Sequence, residues 1–255
     1  MVAKEFISFN DKIVLVTGAS AGIGQATGEL FLDLGATVIG TMHTANKTSF
    51  TEKADQYPNK CFTKRLNAAD STQVEKLVGE VMEEFGRIDI LINNAGIYLV
   101  GSVTETSEAD WDRLVGTNLK SVFLLSHYVI PHMQAAKAGV VVNIASRTGH
   151  QAVSNLAAYC ASKAAIIHLT RQMAVDYIKD NIRINSVTPA MVETPLIDRL
   201  YENDMETKQK VIDSYPIKRF ARADEVANAI IFLASDRASY TTGAALALDG
   251  ARGVI

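Results

Sequence analysis

Tyr159 and Lys163 stand four residues apart in the run Ala157-Ala158-Tyr159-Cys160-Ala161-Ser162-Lys163. On a helix this spacing puts a phenol and an ammonium on one face, a turn apart. A free tyrosine ionises at about pH 10 and is a poor acid or base near neutrality. A fixed cation beside it favours the phenolate. Lowering that pKa by two or three units takes roughly 3–4 kcal/mol. The product is a group able to give or take a proton at cellular pH. The same spacing also suits an ordinary exposed helix pair, so the neighbouring elements must decide between the two.

Those elements read as strands alternating with helices. Apolar runs predict strands over residues 12–17, 37–41, 61–66, 88–92, 140–145, 182–187 and 245–248. Helical periodicity falls at 23–34, 71–85, 109–134, 157–178 and 224–234. Gly35 follows the first helix where a left-handed residue commonly ends one. Ser71 is the expected N-cap of the second. Pro131 should kink or end the long helix 109–134. Nearly unbroken apolar strands between helices imply a parallel sheet covered on both faces. With right-handed crossovers this is an α/β, doubly wound Rossmann sheet, one domain spanning residues 1–255. Ligands bind such sheets at the carboxyl ends of the strands.

The first strand runs into Thr17-Gly18-Ala19-Ser20-Ala21-Gly22-Ile23-Gly24. Gly18 suits a tight turn, Gly22 a close approach of backbone to a pyrophosphate, and Gly24 close packing of helix on sheet. The helix start then offers unpaired N–H groups to phosphate. Plain turn glycines would give the same triplet, but a strand before and a helix after favour a dinucleotide. The acid that usually takes the ribose 2′-hydroxyl is missing: Met42 holds its place, and no Asp or Glu precedes Glu52. This removes a repulsion against a 2′-phosphate. His43, Thr44 and Lys47 can receive that phosphate, or be plain solvated loop residues. The expected cofactor is NADP rather than NAD.

Composition excludes other classes. The 255 residues carry a net charge of −3 with no basic cluster, so nucleic acid is not an expected partner. No apolar run reaches the roughly 20 residues that span a bilayer, and the first residues do not read as a leader. Two cysteines, Cys61 and Cys160, form no framework for disulfides or a metal. The expected location is the cytoplasm.

Together with Asn93-Asn94-Ala95-Gly96, Asn118 and Ser146, the glycine loop and the Tyr159/Lys163 pair make the chain resemble the short-chain dehydrogenase/reductase family over essentially its whole length. Within it, the chain is similar to 3-oxoacyl-(acyl-carrier) reductases and to sugar and polyol dehydrogenases. The resemblance implies an oxidoreductase that moves a hydride between a nicotinamide and a carbonyl or secondary alcohol. Tyr159 would be the catalytic acid or base. Lys163 would lower its pKa and bind the nicotinamide ribose. Ser146 would hold the substrate carbonyl, although a lone serine there equally suits a loop or a cap. Asn118 would hold a water that links Lys163 to solvent, or make a plain helix-surface hydrogen bond. The cofactor would also meet Ser20, Ile23, Asn67, Ala68, Asn94, Ala95, Gly96, Pro189, Val192 and Thr194. Ala190 departs from the family's usual glycine. A homotetramer built through helices 109–134 and 157–178 is the implied assembly.

Residues 193–220 mix apolar Leu196, Ile197, Leu200, Met205 and Tyr215 with charges, which suits a substrate lid. Arg147, His150 and Gln151 can touch a hydroxylated substrate or be loop residues. Lys137 set against Asp180 weakens the case for an acidic carrier protein. A small sugar, polyol, ketone or diketone fits as well. Two rivals share the fold: a dinucleotide-binding regulator, expected to lose Tyr159 or Lys163, and a cofactor-free lyase, expected to fill the phosphate loop.

Overall fold

A computed structural model describes residues 7–43 and 48–254. Seven strands form one parallel sheet: β1 (Ile13–Val16), β2 (Thr37–Met42), β3 (Cys61–Arg65), β4 (Ile90–Asn93), β5 (Gly139–Ile144), β6 (Ile182–Pro189) and, last in the chain, β9 (Ala245–Leu248). Their order across the sheet is β3-β2-β1-β4-β5-β6-β9. The winding reverses between β1 and β4, so a crevice opens where their carboxyl ends diverge. Two short strands, β7 (Val192–Glu193) and β8 (Ala221–Arg222), pair above that end.

Period-two alternation sorts the core into two layers. Val14 and Val16 pack with Phe31 and Leu32 of α1 (Gly22–Asp33) and with Val226 and Ile230 of α9 (Ala223–Ala234). Ile13 and Leu15 face the other way. They meet α3 (Ser71–Phe85) through Val74 and Leu77, α5 (Ser121–Ala136) through Leu125 and Val129, and α6 (Ala157–Tyr177) through Met173. Among the described residues no helix is long and apolar enough to cross a membrane.

Local departures from the sequence reading have physical causes. Asp70, not Ser71, caps α3: its backbone is extended and its carboxylate accepts from Gln73 N at 3.1 Å. The expected single helix 109–134 is α4 (Glu108–Val115), a π turn over Gly116–Lys120, and α5. Pro131 lies inside α5 without ending it, since tertiary packing of that helix outweighs one lost backbone bond. A short helix, α2 (Ser49–Gln56), was not legible because its sequence is mostly polar. It is fixed by the Thr48–Thr51 capping box and by Phe50. That ring fills a notch left by Gly28 and Gly40, where added Cβ atoms would lie 2.6 and 2.3 Å from it. Segment 193–220 folds into α7 (Pro195–Leu200) and α8 (Met205–Asp213). Ile197, Tyr201, Tyr215 and Phe220 give these helices a small core of their own. Leu196, Leu200 and Met205 stay exposed.

Candidate active site

The carboxyl ends of the strands and the α7–α8 segment enclose a cavity of about 1120 Å³. Such a volume holds a dinucleotide and a small substrate together. Every sequence-predicted cofactor residue lines it except Gly24. Gly24 sits behind the loop, where an added Cβ would fall 2.3 Å from both Gly18 O and Asn94 Nδ2. Its part is close packing. Gly18 and Gly22 have positive φ, 67° and 57°, which other side chains rarely adopt. Thr44 and Lys47 lie outside the described residues.

Thr17 ties the loop to β4, a role not read from the sequence. Its hydroxyl accepts from Asn94 N (2.9 Å) and Ala95 N (3.0 Å) and donates to Ile92 O. Asn94 returns two bonds, Nδ2 donating to Thr17 O (2.9 Å) and Gly18 O (3.1 Å). Asn94 thus braces the loop as well as lining the cavity. Asn93 turns inward, donating to Asn143 Oδ1 at 2.9 Å, while Asn143 donates to Thr170 Oγ1. These buried bonds pin β4 and β5 to α6.

The loop fits a pyrophosphate on its own evidence. The N-cap of α1 is Ala21, which makes no side-chain cap, and the first turn holds no acid. The first N–H groups of α1 therefore have no side-chain partner at the cavity wall, which is the arrangement an anion completes. Met42 is buried at the end of β2 and His43 is exposed beyond it. Ala190 does not have a left-handed backbone, so its methyl group causes no strain there.

Ser146, Tyr159 and Lys163 all line the same cavity. Ser146 follows β5 and caps the short turn Arg147–Gly149, as its cap reading expected. Its oxygen accepts from Thr148 N (3.2 Å) and Thr148 Oγ1 (3.0 Å). Those bonds leave its own proton to donate. Gly149 lets this turn approach α6: an added Cβ would be 2.8 Å from Lys163 O. The Tyr159 ring meets Tyr98 edge-on, centroids 4.9 Å apart. Tyr98 lines the cavity too, and nothing in the sequence marked it.

The electrostatics differ from the sequence expectation. Burial pushes the Tyr159 phenol up to about 12, and the Ser146 hydroxyl pulls it back only in part. Burial also pushes Lys163 down to about 8. Its Nζ donates to Ile144 O at 2.8 Å and lies 5.7 Å from the Tyr159 ring centre. Desolvation thus acts on both groups more strongly than their attraction. The protein's own groups do not bring Tyr159 toward neutrality.

Asn118 does not line the cavity. It is fully buried in the π turn. Its Oδ1 accepts from Ile97 N (2.7 Å), and its Nδ2 donates to Ile97 O (3.0 Å) and Ser162 Oγ (3.4 Å). The amide therefore clamps the strand-end segment before Tyr98 to the residue preceding Lys163. It is not a helix-surface bond. π turns recur where a functional side chain must be re-aimed inside a helix.

A nucleotide cradle beside a Ser/Tyr/Lys cluster at the switch point of a doubly wound sheet defines a dinucleotide-dependent oxidoreductase. A family model described as Enoyl-(Acyl carrier protein) reductase matches residues 18–251. The chain is 40% identical over 240 residues to the 3-oxoacyl acyl-carrier-protein reductase FabG of Thermotoga maritima, covering 94% of this chain and 96% of that one. It is 38% identical over 243 residues to meso-2,3-butanediol dehydrogenase of Serratia marcescens, covering 95% and 94%. Its fold is similar to that of aldohexose dehydrogenase from Thermoplasma acidophilum, with a TM-score of 0.89 and 33% identity, covering 98% and 97%. The chain belongs to the short-chain dehydrogenase/reductase family. It is an oxidoreductase that uses a nicotinamide cofactor on carbonyl or secondary alcohol groups.

Proposed function

We propose that this enzyme works with NADP on a small carbonyl or alcohol, with Tyr159 as acid and base, Ser146 as carbonyl donor, Lys163 as ribose contact and Asn118 as positioning residue. The observation that carries the reading is that Ser146, Tyr159 and Lys163 open on one cavity whose far wall is the uncapped start of α1. When bound, the nicotinamide supplies or accepts the hydride, and its oxidised form carries the positive charge that Tyr159 otherwise lacks. Gly18, Ser20, Gly22 and Ile23 cradle the pyrophosphate. Asn67, Ala68, Asn94, Ala95 and Gly96 line the adenosine side; Pro189, Val192 and Thr194 line the nicotinamide side. In reduction the Ser146 and Tyr159 hydroxyls point donors at the carbonyl oxygen, and Tyr159 gives its proton as charge builds there. In oxidation the phenolate removes the alcohol proton. The chain acts as one domain, with 193–220 as its lid.

Support for NADP comes from Arg65 at the end of β3. It donates to the His43 carbonyl oxygen at 3.3 Å. His43, Arg65, Asn67 and Gln73 line a side recess that shares His43 and Asn67 with the main cavity. The cation sought near His43 thus comes from the neighbouring strand. Arg65→Ala should raise KM for NADPH about tenfold, the effect of one charge-assisted bond, and leave KM for NADH within threefold. Wild-type kinetics with both cofactors check the base assumption: a tenfold preference for NADH would remove the NADP reading.

The substrate is a ketone, sugar, polyol or 3-oxoacyl compound. Lys137 supports a carrier docking site poorly, because it is paired with Asp180 at 2.5 Å. Purified protein with both cofactors and a panel of such carbonyls and alcohols, followed by the absorbance of reduced nicotinamide, tests the reading. Cofactor binding without turnover of any of them would favour the regulator.

We also assign the chain to a homotetramer in the cytoplasm. Trp111 on the short α4, Phe123 on α5, and Val175 on α6 with Ile178 just after it are large exposed apolar side chains within the expected helical segments 109–134 and 157–178. Such surface is normally covered. The free thiols of Cys61 and Cys160 suit a reducing compartment. Sedimentation should give the mass of four chains, and Phe123→Glu should give a smaller species.

A further inference from the structure

The substrate half of the cavity carries more positive charge than a neutral carbonyl requires. Arg147, Arg199 and Arg252 all line the cavity, as does Arg113 of α4, which is paired with Asp110. The one acid lining it is Asp112. Among the described residues the side chains of Arg199 and Arg252 have no hydrogen-bond or ion-pair partner.

Arg147 follows Ser146 directly. One donor is engaged, Nη1 bonding Gln151 Oε1 at 2.7 Å. Its Nε is buried without a partner. No protein group bonds Nε or Nη2, so a small turn of this guanidinium at the cavity wall would present the fork that matches a carboxylate. An unpaired buried N–H costs about 1–3 kcal/mol, which an anionic oxygen bound there would relieve.

Gln151 links this fork to the end of the chain. Its Nε2 donates to Gly253 O at 2.6 Å. The turn carrying Arg252 is firmly built. Asp249 accepts from Ala251 N (3.1 Å) through Oδ1 and from Gly253 N (3.0 Å) through Oδ2. Ala251, just before Arg252, has φ 65°. A non-glycine residue held there costs of order 1 kcal/mol or more and is a mark of functional sites. A Cβ added at Gly253 would lie 3.9 Å from Arg147 Cγ, so the turn that carries Arg252 packs beside Arg147.

We infer that the substrate is an oxo acid or hydroxy acid whose carboxylate is gripped by Arg147 and Arg252 while Ser146 and Tyr159 address its carbonyl or hydroxyl. The inference rests on the hydride-transfer reading above and sharpens its substrate class. It separates small acids from carrier-bound thioesters and from neutral sugars or diketones.

The test uses matched pairs: short oxo acids and the amides of the same acids, with NADPH and NADH. The wild type should favour the acid by tenfold or more in kcat/KM. In Arg252→Gln and in Arg147→Gln that ratio should fall toward one, and Arg252→Lys should restore part of it. A wild-type ratio below about three, or one unchanged by both substitutions, would overturn the inference. A binding arm needs neither turnover nor variants. Calorimetry on wild type with oxidised cofactor should show a saturated carboxylic acid binding at least tenfold more tightly than its amide. Equal binding would count against the carboxylate grip. Turnover of neither pair member, with carboxylate binding intact, would count against the hydride-transfer reading alone.

Discussion

Tyr159→Phe should lower kcat/KM by a hundredfold to ten-thousandfold, the usual worth of a positioned proton donor or acceptor. The ring and its edge-on contact with Tyr98 remain, so the fold should not notice. Only the oxygen is lost, and cofactor affinity should stay within a few-fold, since the glycine loop, Asn94 and Lys163 are untouched. Steady-state rates with a saturating substrate, beside fluorescence titration of reduced cofactor, read the two effects separately. Retention of more than a tenth of the wild-type rate would exclude Tyr159 from the proton transfer.

Lys163→Met should abolish turnover to a similar degree while leaving the protein at least as stable. Burial that brings an ammonium from its ordinary pKa of 10.5 down to about 8 disfavours the charged form by roughly 3 kcal/mol at neutral pH. Removing it also orphans Ile144 O, the only acceptor of Nζ, at a cost of about 1–3 kcal/mol. The two terms leave a gain of zero to about 2 kcal/mol, or a rise in Tm of up to about 4 °C for a chain of this length. The pH dependence follows from the same shift. Above about pH 8 the folded state loses the proton while the unfolded chain still holds it. The unfolded state then binds more protons, so wild-type stability rises with pH up to the ordinary lysine pKa. The Met variant should lack that rise. Calorimetric unfolding across this range checks both points; a Tm several degrees below wild type at neutral pH would make the ammonium a structural tie.

The seven sheet strands, most of the helices and the glycine loop were legible because each follows from local pattern. Leu15 and Val16 face opposite layers because side chains alternate along a strand. The Tyr159/Lys163 spacing was legible, but only the glycine loop and the other motifs around it set that pair apart from an ordinary helix pair. What could not be read depends on which chain ends meet in space. Thr17 looks like the last residue of a strand, yet it anchors β4 to the phosphate loop. Arg65 ends one strand and supports the end of the next. Arg252 lies far along the chain from Arg147 and reaches the same cavity. The π turn at Asn118 has no periodic signal, since five residues are too few to shift a helical pattern. The direction of the Tyr159 shift was also hidden. Spacing reports that a cation is near, but burial decides what that nearness is worth.

The Tyr159 phenolate, the form that takes the alcohol proton in oxidation, should come within reach of neutral pH only beside an oxidised nicotinamide with Lys163 in place. The direct measurement is a near-ultraviolet phenolate titration, wild type minus Tyr159→Phe, with and without oxidised cofactor. The difference spectrum without cofactor should show ionisation only near the top of the accessible range, in keeping with a phenol pushed up to about 12. Oxidised cofactor should move that step down by at least two units, and Lys163→Met should hold it up. An unchanged step on adding cofactor would contradict the account.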